Sequence, residues 1–96
     1  MLITTEGLVI DTTGTKRYYR DDVLHRDDVD EFGNCLPAVE YANGTKEWWQ
    51  HGELHRDNDL PARECFDGTK YWFQRNRLRR DTIDSSGNYL PAMTRR

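Results

Sequence analysis

The sequence predicts an all-β protein: an antiparallel β-hairpin repeat array, with three meander repeats in a twisted, elongated sheet. Three observations lead there. The triplet Gly-Thr-Lys occurs at Gly14-Thr15-Lys16, Gly44-Thr45-Lys46 and Gly68-Thr69-Lys70, each followed after one residue by two aromatics, Tyr18-Tyr19, Trp48-Trp49 and Trp72-Phe73. Ten residues after each glycine stands a leucine (Leu24, Leu54, Leu78) that opens Leu-His-Arg-Asp twice and Leu-Arg-Arg-Asp once. Pro-Ala then closes every copy, at Pro37-Ala38, Pro61-Ala62 and Pro91-Ala92.

The three copies cover about residues 9–38, 39–62 and 63–92 of one domain spanning 1–96. The glycines are 30 and then 24 residues apart, because six extra residues lie between Asp27 and Leu36 and again between Asp81 and Leu90. The middle copy lacks them. A chain of 96 residues buries only about 60–65% of its unfolded surface, so the core is thin.

Within the middle copy, Val39 to Ala42 reads as a strand, Asn43-Gly44 as a two-residue type I′ turn and Thr45 to Gln50 as the returning strand. A second reversal falls at His51-Gly52, matched by Asp21-Asp22 and Arg75-Asn76. Counting back from it sets Gln50 opposite Glu53, Trp49 opposite Leu54 and Trp48 opposite His55. Successive strand residues face opposite sides, so only one aromatic of each pair shares the leucine's side. On this count Tyr19, Leu24, Trp49, Leu54, Phe73 and Leu78 form the buried face. Tyr18, Trp48 and Trp72 then form a spare row beside Lys16, Lys46 and Lys70, with His25, His55 and Arg79 across from them.

Charge is distributed unevenly about a net −3. Between Asp21 and Glu31 stand the acids Asp21, Asp22, Asp27, Asp28, Asp30 and Glu31 against one base, Arg26, whereas from Thr69 to Arg96 the bases Lys70, Arg75, Arg77, Arg79, Arg80, Arg95 and Arg96 outnumber the acids Asp81 and Asp84. The two ends are therefore expected to bear opposite potentials. Hydrophobic residues make up 35% and charged residues 32%, yet the aromatics suffice for a folded domain rather than a disordered chain.

Groups for catalysis are sparse in this pattern. Ser85 and Ser86 stand beside Gly87 as turn residues, and His51 and His55 are split by Gly52 within a strand pattern, not placed on a shared helical face. Cys35 and Cys65 form no Cys-x-x-Cys motif and have no ligand spacing around them. No enzyme activity, cofactor or metal is expected. No stretch approaches the roughly 20 apolar residues of a membrane helix, and Met1 to Ile10 has no basic leader region. A reducing cytoplasm is the expected location.

The block from Gly44-Thr45-Lys46-Glu47-Trp48-Trp49 through Gln50-His51-Gly52-Glu53-Leu54-His55-Arg56, closed by Pro61-Ala62, resembles the variant MORN-type repeats. Such repeats occur in bacterial antitoxin-like proteins and in phage and large-DNA-virus proteins. The chain departs from their pattern at Asp59-Leu60, where Asp-Gly usually precedes Pro-Ala, and in its two inserts. The resemblance implies a β-hairpin array that binds other molecules without catalysis, in a host cytoplasm if phage-encoded.

The expected function is therefore protein binding: an inhibitor- or antitoxin-like module that occludes a working surface of a larger enzyme or complex. Its expected contact residues are Tyr18, Trp48, Trp72, Asp21, Asp22, Asp27, Asp28, Asp30 and Glu31. In a sharper variant the acids of the first copy imitate nucleic-acid phosphates and fill a basic groove on the partner. Two alternatives are single-stranded nucleic-acid binding by the aromatic and lysine row, which the acidic balance opposes, and self-assembly of the acidic end onto the basic end.

Overall fold

The computed structural model describes residues 3–5 and 7–95. Met1, Leu2, Glu6 and Arg96 lie outside the described residues, and with them part of the leader reading and the last residue of the basic tail. Every strand pairing is antiparallel and the described residues contain no helix. The molecule measures 51 × 27 × 26 Å.

The strands are short. They are β1 (Ile3–Thr5), β2 (Leu8–Ile10), β3 (Lys16–Arg20), β4 (Val23–Leu24), β5 (Val39–Glu40), β6 (Lys46–Glu47), β7 (Trp49–Gln50), β8 (Glu53–Leu54), β9 (Arg63–Glu64), β10 (Lys70–Tyr71), β11 (Phe73–Gln74), β12 (Arg77–Leu78) and β13 (Met93–Thr94). One long sheet runs β1-β2-β3-β5-β6-β9-β10-β13, with β4 attached to β3. The pairs β7–β8 and β11–β12 form two separate hairpins.

The glycine of each Gly-Thr-Lys closes a turn, but of a type other than expected. Gly44 N–H donates to the Tyr41 carbonyl at 2.9 Å, Tyr41 N–H donates to the Thr45 carbonyl at 2.8 Å, and Gly44 has φ 98° while Asn43 does not enter the left-handed region. This is a type I turn ending in a glycine bulge. Asp11–Gly14 and Cys65–Gly68 repeat it, and so do Asp30–Gly33 and Asp84–Gly87, which make each six-residue insert a small hairpin bridged by Val29–Cys35 or Ile83–Tyr89. The type I′ geometry belongs to the second reversal, where φ is positive at both loop residues: 52° and 66° at Asp21-Asp22, 52° and 82° at His51-Gly52, 50° and 70° at Arg75-Asn76.

The predicted pairing of Trp49 with Leu54 and Gln50 with Glu53 is present. The assignment of faces is corrected. Trp48 and Trp72 are each only 6% exposed, whereas Trp49 and Phe73 are half-buried and Leu78 is 54% exposed. The reason is a bend: the returning strand breaks at Trp48, between β6 and β7, and the residue bonds in two directions. Its N–H donates to the Ala62 carbonyl (2.8 Å) and its carbonyl accepts the His55 N–H (3.0 Å). Consecutive residues Glu47 and Trp48 are therefore both buried, which a flat strand with one covered face does not allow.

Around the two tryptophans the core holds Ala38, Val39 and Ala62. The Pro-Ala pair follows from this packing. The alanine carbonyls of Ala38, Ala62 and Ala92 accept the N–H groups of Tyr18, Trp48 and Trp72 at 2.8, 2.8 and 2.7 Å, and a proline has no N–H that would need a buried acceptor. The threonine of Gly-Thr-Lys is also used. Thr45 is buried and its hydroxyl accepts the Phe66 N–H of the next turn at 3.1 Å.

Candidate interaction surface

An arginine stacks on the inner aromatic of every copy. The guanidinium carbons of Arg26, Arg56 and Arg80 lie 3.8, 3.7 and 4.0 Å from the ring centroids of Tyr18, Trp48 and Trp72. Each arginine also donates to the proline carbonyl of its own copy, Pro37, Pro61 or Pro91, at 3.0, 3.1 and 3.2 Å. These are the arginines of the Leu-x-Arg-Asp motif. Their planar cations cover the aromatic faces while their N–H groups satisfy carbonyls, so the row Tyr18, Trp48, Trp72 is scaffold and not a free binding face.

The residue before each arginine pairs with the aspartate that follows it. His25 Nε2 lies 2.6 Å from Asp27, His55 Nε2 lies 2.7 Å from Asp57, and Arg79 Nε lies 2.7 Å from Asp81. The other ring nitrogen of each histidine accepts a backbone N–H from the next copy, His51 to His25 Nδ1 at 2.9 Å and Arg75 to His55 Nδ1 at 3.2 Å. With Nδ1 accepting, the ring proton sits on Nε2 and faces the carboxylate. The hydrogen bond from His25 is the main reason the Asp27 carboxyl is held below its usual range.

The acids of the first copy thus divide into two groups. Asp27 pairs with His25 and Arg20, Asp28 receives Arg26 Nε at 3.1 Å, and Asp30 Oδ1 accepts the Asn34 and Phe32 N–H groups at 2.9 and 2.8 Å. Those backbone bonds, led by Asn34, hold the Asp30 carboxyl below its usual range. Asp21, Asp22 and Glu31 are exposed and carry no ion pair among the described residues. The lysines of the supposed spare row are flanked by acids across the sheet. Lys16, Glu40, Lys46, Glu64 and Lys70 stand opposite one another in that order along β3, β5, β6, β9 and β10, a sequence of alternating charge that favours cross-strand pairing.

The apolar side chains most exposed to solvent are not among the expected contact residues, although Val29 and Phe32 stand beside Asp28, Asp30 and Glu31, which are. Phe32, at the tip of the first insert hairpin, is 79% exposed, and Val29 beside it is more than half exposed. Ile83 and Tyr89 project from the second insert, and Phe66 from the third Gly-Thr-Lys turn. A signal for Phe32 was present in the sequence: its counterpart in the matching insert is Ser86, so no repeated packing role requires an aromatic there. At the other end Arg75 and Arg77 are exposed cations with no ion-pair partner among the described residues.

The fold and surface define an all-β, antiparallel hairpin protein whose recurring arginine–aromatic stacks form the interior and whose insert hairpins carry exposed apolar side chains. No protein-family model, no curated protein and no solved structure matches this chain. No helix among the described residues is long and apolar enough to cross a membrane.

Proposed function

We propose that this chain is a non-catalytic protein-binding module, an inhibitor- or antitoxin-like protein that covers a functional surface of a larger partner and contacts it through the first insert hairpin. The observation that carries the reading is Phe32, 79% exposed on a turn that Asp30 ties down through two backbone N–H groups. An aromatic side chain so exposed contributes little to the fold, and aromatics are the usual anchors of a protein interface. Glu31, exposed beside it in the sequence, gives the tip an acidic neighbour that suits a partner with an apolar pocket and a basic rim. The resemblance to variant MORN-type repeats points the same way.

Affinity capture with the native chain and with Phe32→Asp tests this directly. One stoichiometric protein is expected with the native chain and is lost with the variant, while the unfolding midpoint of the two chains agrees. Retention of the same protein by Phe32→Asp would overturn the assignment of the surface, and the absence of any partner would overturn the function. Imitation of nucleic acid is a weaker form of the reading, because Asp27, Asp28 and Asp30 are already engaged within the chain.

A further inference from the structure

The junction between successive copies is built twice from the same four bonds. The turn N–H of Gly52 donates to the Leu24 carbonyl (2.8 Å), Gln50 Nε2 to the Arg26 carbonyl (3.0 Å), Trp48 Nε1 to the Cys35 carbonyl (2.9 Å), and the His51 N–H to His25 Nδ1. One copy later Asn76 N–H donates to Leu54 (2.9 Å), Gln74 Nε2 to Arg56 (2.8 Å), Trp72 Nε1 to Asp59 (3.0 Å), and Arg75 N–H to His55 Nδ1. The third copy presents the same acceptors, the carbonyls of Leu78, Arg80 and Tyr89, and no donor among the described residues reaches them. Leu78 and Tyr89 are 54% and 73% exposed there. The sheet edge is open at the same place: β5 and β9 each have two neighbours, but β13 pairs only with β10.

We propose that this third-copy face is a docking site for a β-hairpin from outside residues 1–96, continuing the junction already made twice within them. The acceptor geometry specifies the occupant. It needs a strand beside β13, an indole N–H for the Tyr89 carbonyl, a carboxamide two residues later for Arg80, and a tight turn whose N–H reaches Leu78. The fourth position differs, because Arg79 replaces the histidine that accepts a turn N–H, and Arg75 and Arg77 stand nearby on the same hairpin. A carboxylate in the turn therefore suits this junction, where His51 and Arg75 fill the turn position at the other two. The recognised pattern is Trp-x-Gln-acid-Gly. A second copy cannot supply it: the Trp48 and Trp72 hairpins are engaged internally, the first copy has Tyr18 and Arg20 at those positions, and β3 already lies between β2 and β5.

The probe is a backbone-cyclised peptide with the sequence of residues 46–55 carrying His51→Asp, titrated into the full chain by NMR and calorimetry. Binding is expected with amide shifts confined to residues 78–82 and 89–95. It should weaken by about tenfold or more on Leu78→Asp in the protein or Trp48→Ala in the peptide, and also with a His51→Lys peptide. Since the peptide could fail to fold, the full chain extended after Arg96 by a second set of residues 67–92, with Arg75→Asp and Asn76→Gly in the added set only, continues the spacing of the copies and gives an independent reading. Its unfolding midpoint should rise and the resonances of residues 78–82 and 89–95 should shift. Shifts elsewhere, an unchanged extended chain, or a concentration-dependent dimer of the native chain through this face would each overturn the proposal. Phe32→Asp should leave peptide binding unaltered, which separates this site from the insert hairpin.

Discussion

The Arg56 guanidinium lies over the Trp48 ring, its carbon 3.7 Å from the centroid, and donates at the same time to the Pro61 carbonyl at 3.1 Å and to Glu64 at 2.9 Å. Its side chain is only 10% exposed. A cation so placed is a core residue. Arg56→Ala should lower stability by about 2–4 kcal/mol, the sum of a desolvated cation–π contact and charge-assisted hydrogen bonds, less partial relaxation. Arg56→Lys keeps the charge without the planar fork and should recover only part of the loss. Urea unfolding followed by tryptophan fluorescence measures both.

Burial and exposure separate two aromatics that composition alone treats alike. Trp72→Ala should cost about 3–5 kcal/mol, because it empties a buried site and removes the indole donor to Asp59. Phe32→Ser should change stability by no more than about 0.5 kcal/mol. Thermal unfolding of the two variants beside the native chain is the check, and similar costs for both would mean that the insert tip is packed.

The two kinds of turn respond oppositely to glycine. Asp21 and Asp22 adopt φ of 52° and 66° without being glycine, so replacing them with Asn-Gly should raise stability by about 1 kcal/mol. Gly44→Ala should cost about 1–2 kcal/mol. An added Cβ there would meet nothing closer than Phe66 Cβ at 4.0 Å, so the cost comes from the φ of 98° and not from crowding. Differential scanning calorimetry distinguishes gain from loss.

Among the described residues four carboxylates are held below their usual range: Asp11 by the Thr13 hydroxyl and then Arg17, Asp27 by His25, Asp30 by the Asn34 and Phe32 N–H groups, and Asp59 by Arg80 and then Thr82. A depressed folded pKa gives stability that is present above the unfolded value, 3.8, and is lost as pH falls through the folded values. Stability from these groups should be flat from neutral pH down to about 4 and decline below it. Asp11→Asn, which can keep the turn acceptor but not the charge, should lower stability at neutral pH and make the acid decline shallower. Denaturant midpoints between pH 2 and 7 provide the measurement.

The sequence by itself determined the all-β antiparallel class, the place of both reversals and the cross-strand pairing beside the second. Gly14, Gly44 and Gly68 recur where the backbone needs a left-handed residue, and pairing follows from counting outward from a turn. It could not decide which aromatic of each pair goes inside. That choice rests on the bend at Trp48, which comes from hydrogen bonds to Ala62 and His55 at the junctions between strands. The arginine of Leu-x-Arg-Asp was legible as a repeated residue, and only the folded chain showed it stacked on the buried ring. Local pattern fixes which residues are neighbours along a hairpin. Which face is buried depends on what the next copy places over it, and that covering is a tertiary property.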